Sequence, residues 1–188
     1  MAWYKSSVKK HGWRGWQRNL ALSKRGMAIG TEVHGLIESF INNVSYEITE
    51  KYPSRQLADS LYDVVNPKID EYIALEPHLV SNELRLHGTA DVIVRMNYCP
   101  GLWVGDWKTS YEKSETHPIQ LAIYALMWNE QHPGQQIDQG WIARIDKKSK
   151  NLNVKIDEYK GLKKYYPVIR ALRTIYDYTK TLGEYKSE

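Results

Sequence analysis

Apolar residues recur at helical spacing after Thr31. Val33, Leu36, Ile37, Phe40, Ile41 and Val44 form one stripe, which predicts a helix over about residues 27–50. Tyr52-Pro53-Ser54 breaks that pattern. A second stripe of Leu57, Leu61, Val64, Val65, Ile69 and Ile73 predicts a helix over about 54–75, with a kink or a break at Pro67. From Glu76 the period shortens to two. Residues 76–81, 85–96 and 102–108 read as strands, and Asn97-Tyr98-Cys99-Pro100-Gly101 turns the last two into an antiparallel hairpin. Pro118 opens a helix of about 14 residues, with Leu121, Ala122, Tyr124, Ala125 and Trp128 on its packing side. His132-Pro133-Gly134 ends it. A second hairpin follows over 137–145 and 152–156, and an amphipathic helix runs from 157 to about 180. This order predicts an α/β (α+β) fold: a central mixed β-sheet of about five strands flanked by helices.

The length of 188 residues favours a single domain. Within it, 1–25 is a basic aromatic N-terminal arm, 26–156 the core and 157–188 a C-terminal helix. The net charge of +4 is modest, but its distribution is uneven. No Asp or Glu occurs from Met1 to Thr31, while Lys5, Lys9, Lys10, Arg14, Arg18, Lys24 and Arg25 do. Trp3, Tyr4, Trp13 and Trp16 lie among them. Lys9, Lys10, Trp13, Arg14, Trp16, Arg18 and Arg25 are therefore candidates to neutralise phosphates and stack on bases. A solvated basic terminus with aromatics docked on the core is the other reading. Cys99 is the only cysteine, which excludes an internal disulfide, a cysteine zinc site and a four-cysteine iron–sulfur cluster. A reducing, intracellular and cytoplasmic setting is expected. No run is long and apolar enough to span a bilayer, and no membrane partner is expected.

Candidate chemistry concentrates in the first hairpin. Asp106 and Lys108 are two apart and share one face of a strand, and Asp91 lies early in the strand before it. Two carboxylates and an ammonium at one end of a sheet suit a hard divalent cation and the water it activates. The backbone carbonyl of Trp107 offers a further oxygen. Glu76, fifteen residues before Asp91, offers another carboxylate, and His34 an imidazole near the helical seam. Each has a plainer reading. An Asp-x-Lys triplet is commonly a surface charge pair, a lone helical His is commonly structural, and Glu76 before Pro77 can simply end a helix.

Five pieces together resemble the PD-(D/E)XK nuclease superfamily, in particular its RecB-like exonuclease branch and its small phage-type members. They are Gly30-Thr31-Glu32-Val33-His34, Glu76, Gly88-Thr89-Ala90-Asp91, Gly105-Asp106-Trp107-Lys108-Thr109-Ser110 and Gln120-Leu121-Ala122-Ile123-Tyr124. The resemblance spans about residues 25–145 and implies a restriction-endonuclease-like core. It implies that His34, Asp91, Asp106 and the Trp107 carbonyl bind Mg²⁺, with Mn²⁺ as substitute, and that Asp91, Asp106, Lys108 and Glu76 are catalytic. Glu76 is the least specific of these matches. Gln120 and Tyr124, four apart on one helix face, would line the site or contact DNA; core packing is the alternative for Tyr124.

The function implied is a Mg²⁺-dependent deoxyribonuclease, an exonuclease in recombination, repair or phage DNA processing, in a bacterial or phage-infected cell. DNA is the expected partner, alongside a helicase, recombinase or single-strand-binding protein. Cys99 alone cannot hold the iron–sulfur cluster of some relatives, and no Gly-x-x-x-x-Gly-Lys-Ser/Thr loop marks a motor. Two alternatives stand beside this function: a non-catalytic nucleic-acid-binding module, and a metal-dependent hydrolase of a smaller phosphoester.

Overall fold

Residues Ala2–Asn42 form one long helix, α1. The computed structural model describes residues 2–48, 53–146 and 151–184, with side chains between 22 and 180 of these. The chain divides into two compact units, Met1–Asp59 and Ser60–Glu188. In the first unit, α1 continues through the segment expected to be a separate arm. It stops at Asn42 rather than near residue 50, for a local reason. Asn43 adopts the left-handed region at φ 54°, and Val44 N–H donates to Ser39 C=O at 3.0 Å. That pairing closes a helix terminus, so Val44 falls outside the stripe it seemed to extend. The helix α2, Ser54–Val65, begins in this unit, where the Ser54 hydroxyl donates to Glu32 at 2.6 Å.

The second unit holds the sheet. Its strands are β1 (Ile69–Leu75), β4 (Val92–Met96), β5 (Cys99–Lys108), β6 (Ile137–Ile145) and β7 (Val154–Lys160), in the order β1-β4-β5-β6-β7. A separate hairpin pairs β2 (His78–Ser81) with β3 (Leu86–Thr89). The helices are α3 (His117–Gln131) and α4 (Tyr166–Glu184). The expected mixed sheet of about five strands is present, and among the described residues its only parallel pair is β5–β6.

Several boundaries differ from expectation; β5, for one, begins at Cys99, inside the stretch expected to turn the hairpin. Residues 69–75 form strand β1, not the second half of a helix. Pro67 lacks the N–H that a helix needs and sits in a 3₁₀ turn, Asn66–Lys68. The chain beyond it pairs antiparallel with β4 instead. Residues 85–96 form two strands, broken at Ala90-Asp91, because β3 belongs to the small hairpin and β4 to the main sheet. Strand β7 runs to Lys160, and α4 starts only at Tyr166, after a 3₁₀ turn over Leu162–Tyr165.

Helix α3 covers β5 and β6. It buries Leu121, Ala122 and Ala125 completely, in one core with Val104, Ile142 and Ile93. Its C-terminal end grips neighbouring elements by polar contacts. Asn129 exchanges hydrogen bonds with Ile137 N–H and C=O at 2.6 and 2.8 Å, which fixes the start of β6. Glu130 accepts from Asn82 N–H at 2.9 Å and Gln131 from Val80 N–H at 3.1 Å, which fixes the β2–β3 hairpin.

The close seat of α3 depends on Gly140. A Cβ there would lie 2.6 Å from Val104 O and 3.3 Å from a Leu121 methyl carbon. Gly140→Ala should lose about 1–3 kcal/mol of stability by overpacking, read from the urea unfolding midpoint. Gly134→Ala, in open space, should stay within about 0.5 kcal/mol of wild type in the same measurement.

Candidate active site

Strand alternation sends Asp106 and Lys108 to the face of β5 that α3 covers, together with Val104. Trp103 and Trp107 take the other face, where the Trp107 ring meets Trp141 edge-on at 4.7 Å. Asp106 is buried at 2 % exposure. An ionised carboxylate so placed needs partners. Lys108 Nζ straddles it, 2.8 Å from Oδ1 and 2.6 Å from Oδ2. Gln120 Nε2 donates to Oδ1 at 3.1 Å and lies 3.2 Å from the Tyr124 hydroxyl oxygen, to which it also donates. The four-residue spacing on α3 thus stacks Gln120 and Tyr124 over the carboxylate.

Asp91 stands in the bend before β4, not within a strand. Its Oδ2 accepts the Trp107 N–H at 2.7 Å. That N–H belongs to the peptide joining Asp106 to Trp107, so one peptide unit separates the two carboxylates' anchor points. Glu76 is exposed and lies in the bend between β1 and β2, off the strand expected to carry it. Its N–H donates to Asp91 C=O at 3.0 Å, so its backbone braces the Asp91 bend. Its φ of 43° is a left-handed value. Burial raises the Tyr124 hydroxyl above its ordinary range, and the charges of Asp106 and Asp91 add to that rise against the Gln120 hydrogen bond. Tyr124 therefore stays protonated beside both acids.

His34 is half-buried on α1, in the other unit. Arg25 is exposed on the same helix. The backbone at Lys9, Lys10, Trp13, Arg14, Trp16 and Arg18 is helical, and their side chains lie outside the described residues.

A second cluster on the α3 face went unnoticed in the sequence. Arg144 pairs in register with Lys108 across the parallel ladder and is 5 % exposed. It forms an ion pair with Asp157 of β7 and donates to the Tyr111 C=O in the segment after β5. Lys113 lies 3.4 Å from Asp157. Burial works to raise the Asp157 carboxyl, but Arg144 and Lys113 outweigh it and hold it below the ordinary range. The available signal was an arginine inside the apolar run Ile142-Ala143-Arg144-Ile145, on the face of Ile142. His117, nearly buried in the first turn of α3, accepts from Ser114 N–H at 3.4 Å.

Among the described residues, no three His, Cys, Asp or Glu side chains group closely enough to cage a metal alone. The donors still fit a hard cation in kind. Mg²⁺ commonly takes one or two carboxylates, keeps several waters and uses substrate phosphate for the rest. Asp91 and Asp106 supply that number. Among the described residues, no helix is long and apolar enough to cross a membrane.

A family model for the PD-(D/E)XK nuclease superfamily matches residues 14–180. The chain belongs to the PD-(D/E)XK nuclease superfamily. Its mixed five-stranded sheet is the restriction-endonuclease-like α/β core of that superfamily. PD-(D/E)XK nucleases generally use divalent metals. No curated protein matches the chain. Among solved structures it is similar to a "putative exonuclease" from Eubacterium rectale. The identity is 11 %, the TM-score 0.44, and the match covers 79 % of this chain and 67 % of that one.

His117, in the first turn of α3 beside the candidate site, links stability to pH. Burial, then the nearby charges of Lys108 and Arg144, lower its pKa, against a smaller opposing effect of Asp157. The unfolded chain therefore binds more protons below the ordinary histidine value of about 6.5. Stability should fall as pH drops through that range. His117→Asn should lose this part of the decline, seen as a smaller difference in Tm between pH 7.5 and pH 5.

Proposed function

We propose that the chain is a metal-dependent deoxyribonuclease, acting as an exonuclease, whose chemistry is carried by Asp91, Asp106 and Lys108. One observation supports this most. The buried Asp106 carboxylate has Lys108 on it, Gln120 above it, and Asp91 bound to the next peptide N–H. A structural ion pair needs neither the second carboxylate nor the Gln120–Tyr124 pair.

Asp91 and Asp106, with the Trp107 carbonyl, would hold Mg²⁺ or Mn²⁺. When bound, the cation supplies Lewis-acid polarisation of the phosphate and a lowered water pKa. Lys108 Nζ lies at the open side of the carboxylate, its side chain 25 % exposed. There it orients the attacking water and offsets charge on the phosphate as the transition state forms. Gln120 holds the Asp106 carboxylate in one rotamer, and the Tyr124 hydroxyl remains a proton donor for a phosphate oxygen. Glu76 acts through its backbone, by fixing the bend that aims Asp91. The cations between Lys5 and Arg25 supply phosphate contacts, and DNA is the partner that such a run fits. A reducing, intracellular compartment of a bacterial or phage-infected cell is where this substrate would be met.

The test is digestion of end-labelled linear and circular DNA, single- and double-stranded, in Mg²⁺, Mn²⁺ or EDTA. Cleavage should require the metal and a free end. Asp106→Asn and Lys108→Gln should each cut the rate by at least about 10²-fold. Both variants should still unfold cooperatively, at a lower Tm because the buried Asp106–Lys108 pair is broken, with oligonucleotide affinity close to wild type. Cleavage at the wild-type rate by either variant would remove these residues from the mechanism, and cleavage of closed circles would remove the exonuclease reading.

A further inference from the structure

Strand β3 and helices α3 and α4 enclose an open groove of about 370 Å³. Its floor is aliphatic, with Ile123, Ile169 and Leu172. Its rim carries Arg85, Arg173 and Tyr176. We infer that this groove is a subsite for the DNA strand flanking the cleaved bond, with a phosphate on Arg85 and a base on Tyr176. This rests on the nuclease reading above and names where its substrate strand runs.

The chemistry of the rim is that of a strand-binding surface. The Tyr176 ring is about half exposed, with the Arg173 guanidinium 5.2 Å and the Lys180 ammonium 5.6 Å from its centroid. Both cations lie over the ring, and a base stacks on it when the flexible Lys180 ammonium yields its place, leaving that charge for a phosphate. Arg85 and Arg173 both contact Asp177, but only the Arg85 side chain is open to solvent, at 67 % exposure against 17 % for Arg173. An exposed ion pair contributes little, so the Arg85 guanidinium can turn to a phosphate, which its fork fits in bidentate fashion, while Arg173 stays on Asp177 and the Arg85 carbonyl. Two arginines face one acid, Asp177, which leaves the rim positive.

The backbone gives a second indication. Arg85 sits at φ 48°, a conformation that favours glycine. The Arg173 guanidinium caps it by donating to Arg85 C=O at 3.2 Å. A long cationic side chain is thus held at the groove mouth where glycine would make the turn more easily. Strain of this kind clusters at ligand clamps.

The groove also leads to the candidate active site. Four residues separate His87 from Asp91, strand β3 to Thr89 and then the Ala90-Asp91 bend, a span of at most about 13 Å. That distance spans about four nucleotides at duplex-like spacing. Along it, a Cβ on Gly88 would lie 3.5 Å from the Tyr124 ring, so Tyr124 borders β3 midway. Ile123 lines the groove, and its neighbour Tyr124 bonds to the glutamine that holds Asp106.

Binding in EDTA tests the subsite without requiring catalysis. The probe is a fluorescently labelled single-stranded dodecamer, titrated by anisotropy over a range of salt. The variants are Arg85→Gly, which keeps the turn, and Tyr176→Leu, which keeps apolar bulk. Arg85→Gly should weaken binding about tenfold and flatten the log Kd against log salt slope by about 0.7. Tyr176→Leu should weaken binding at least fivefold with the slope unchanged. Unchanged Kd in both variants, or no binding by the wild type, overturns the subsite. Selective loss of an acidic peptide's binding, with oligonucleotide Kd intact, also overturns it in favour of a protein ligand. Loss of metal-dependent cleavage is read separately from Asp106→Asn, so the nuclease reading can fail while the subsite stands.

Discussion

The parallel pairing of β5 with β6 constrains the rest of the second unit. Two strands that run the same way cannot be joined by a tight turn, so the chain must travel back along the sheet before β6 begins. Helix α3 is that return path. It has to lie on one face of β5, and the face it takes is the one that carries Asp106 and Lys108. Gln120 and Tyr124 come to stand over the carboxylate because the crossover needs a helix there. Leu121, Ala122 and Ala125 hold it down against Val104 and Ile142. Packing and site geometry are in this sense one arrangement.

That arrangement sets charge inside an apolar layer. Asp106 and Arg144 are each nearly inaccessible to water, and each is matched. Burying charge costs several kcal/mol per ion unless geometry and hydrogen bonds offset it. Here the two networks lie side by side across one ladder step, Lys108 beside Arg144. One network grips the candidate chemistry. The other ties β6, β7 and the segment after β5 together, which limits how far the end of β5 can move. The helix side thus combines a greasy centre with a charged lower end, and α3 enters that end through His117.

Much of this was legible from pattern alone. The apolar closure of β5 on Asp106-Trp107-Lys108, the proline opening of α3 and the Gln120–Tyr124 spacing are local signals, and each kept its place. What failed was non-local. Residues 69–75 have helical spacing at Ile69 and Ile73, yet β4 offers them a ladder and Pro67 denies them a helix. Glu76 looked like a strand residue and is a bend residue, because the chain changes sheets there. Asn43 ended α1 through backbone geometry that the apolar stripe does not encode. Arg144 and Asp157 are 13 apart and meet only because β6 and β7 pair. Arg85 and Asp177 are 92 apart, and no periodicity links them.

The outer strands of the main sheet have a consequence of a different kind. Among the described residues, β1 and β7 are the outermost of its five strands, each with one side open in the ladder. An open ladder can recruit a strand from another chain and seed aggregation. β1 carries two register shifts, between Ile69 and Glu71 and between Tyr72 and Ala74. Those irregularities bend its edge away from a flat template. β7 reads Val-Lys-Ile-Asp-Glu-Tyr-Lys, with a charge at most positions after the first. Both borders therefore discourage edge-to-edge association, one by shape and one by charge, and the sheet can stay at five strands in a crowded solution.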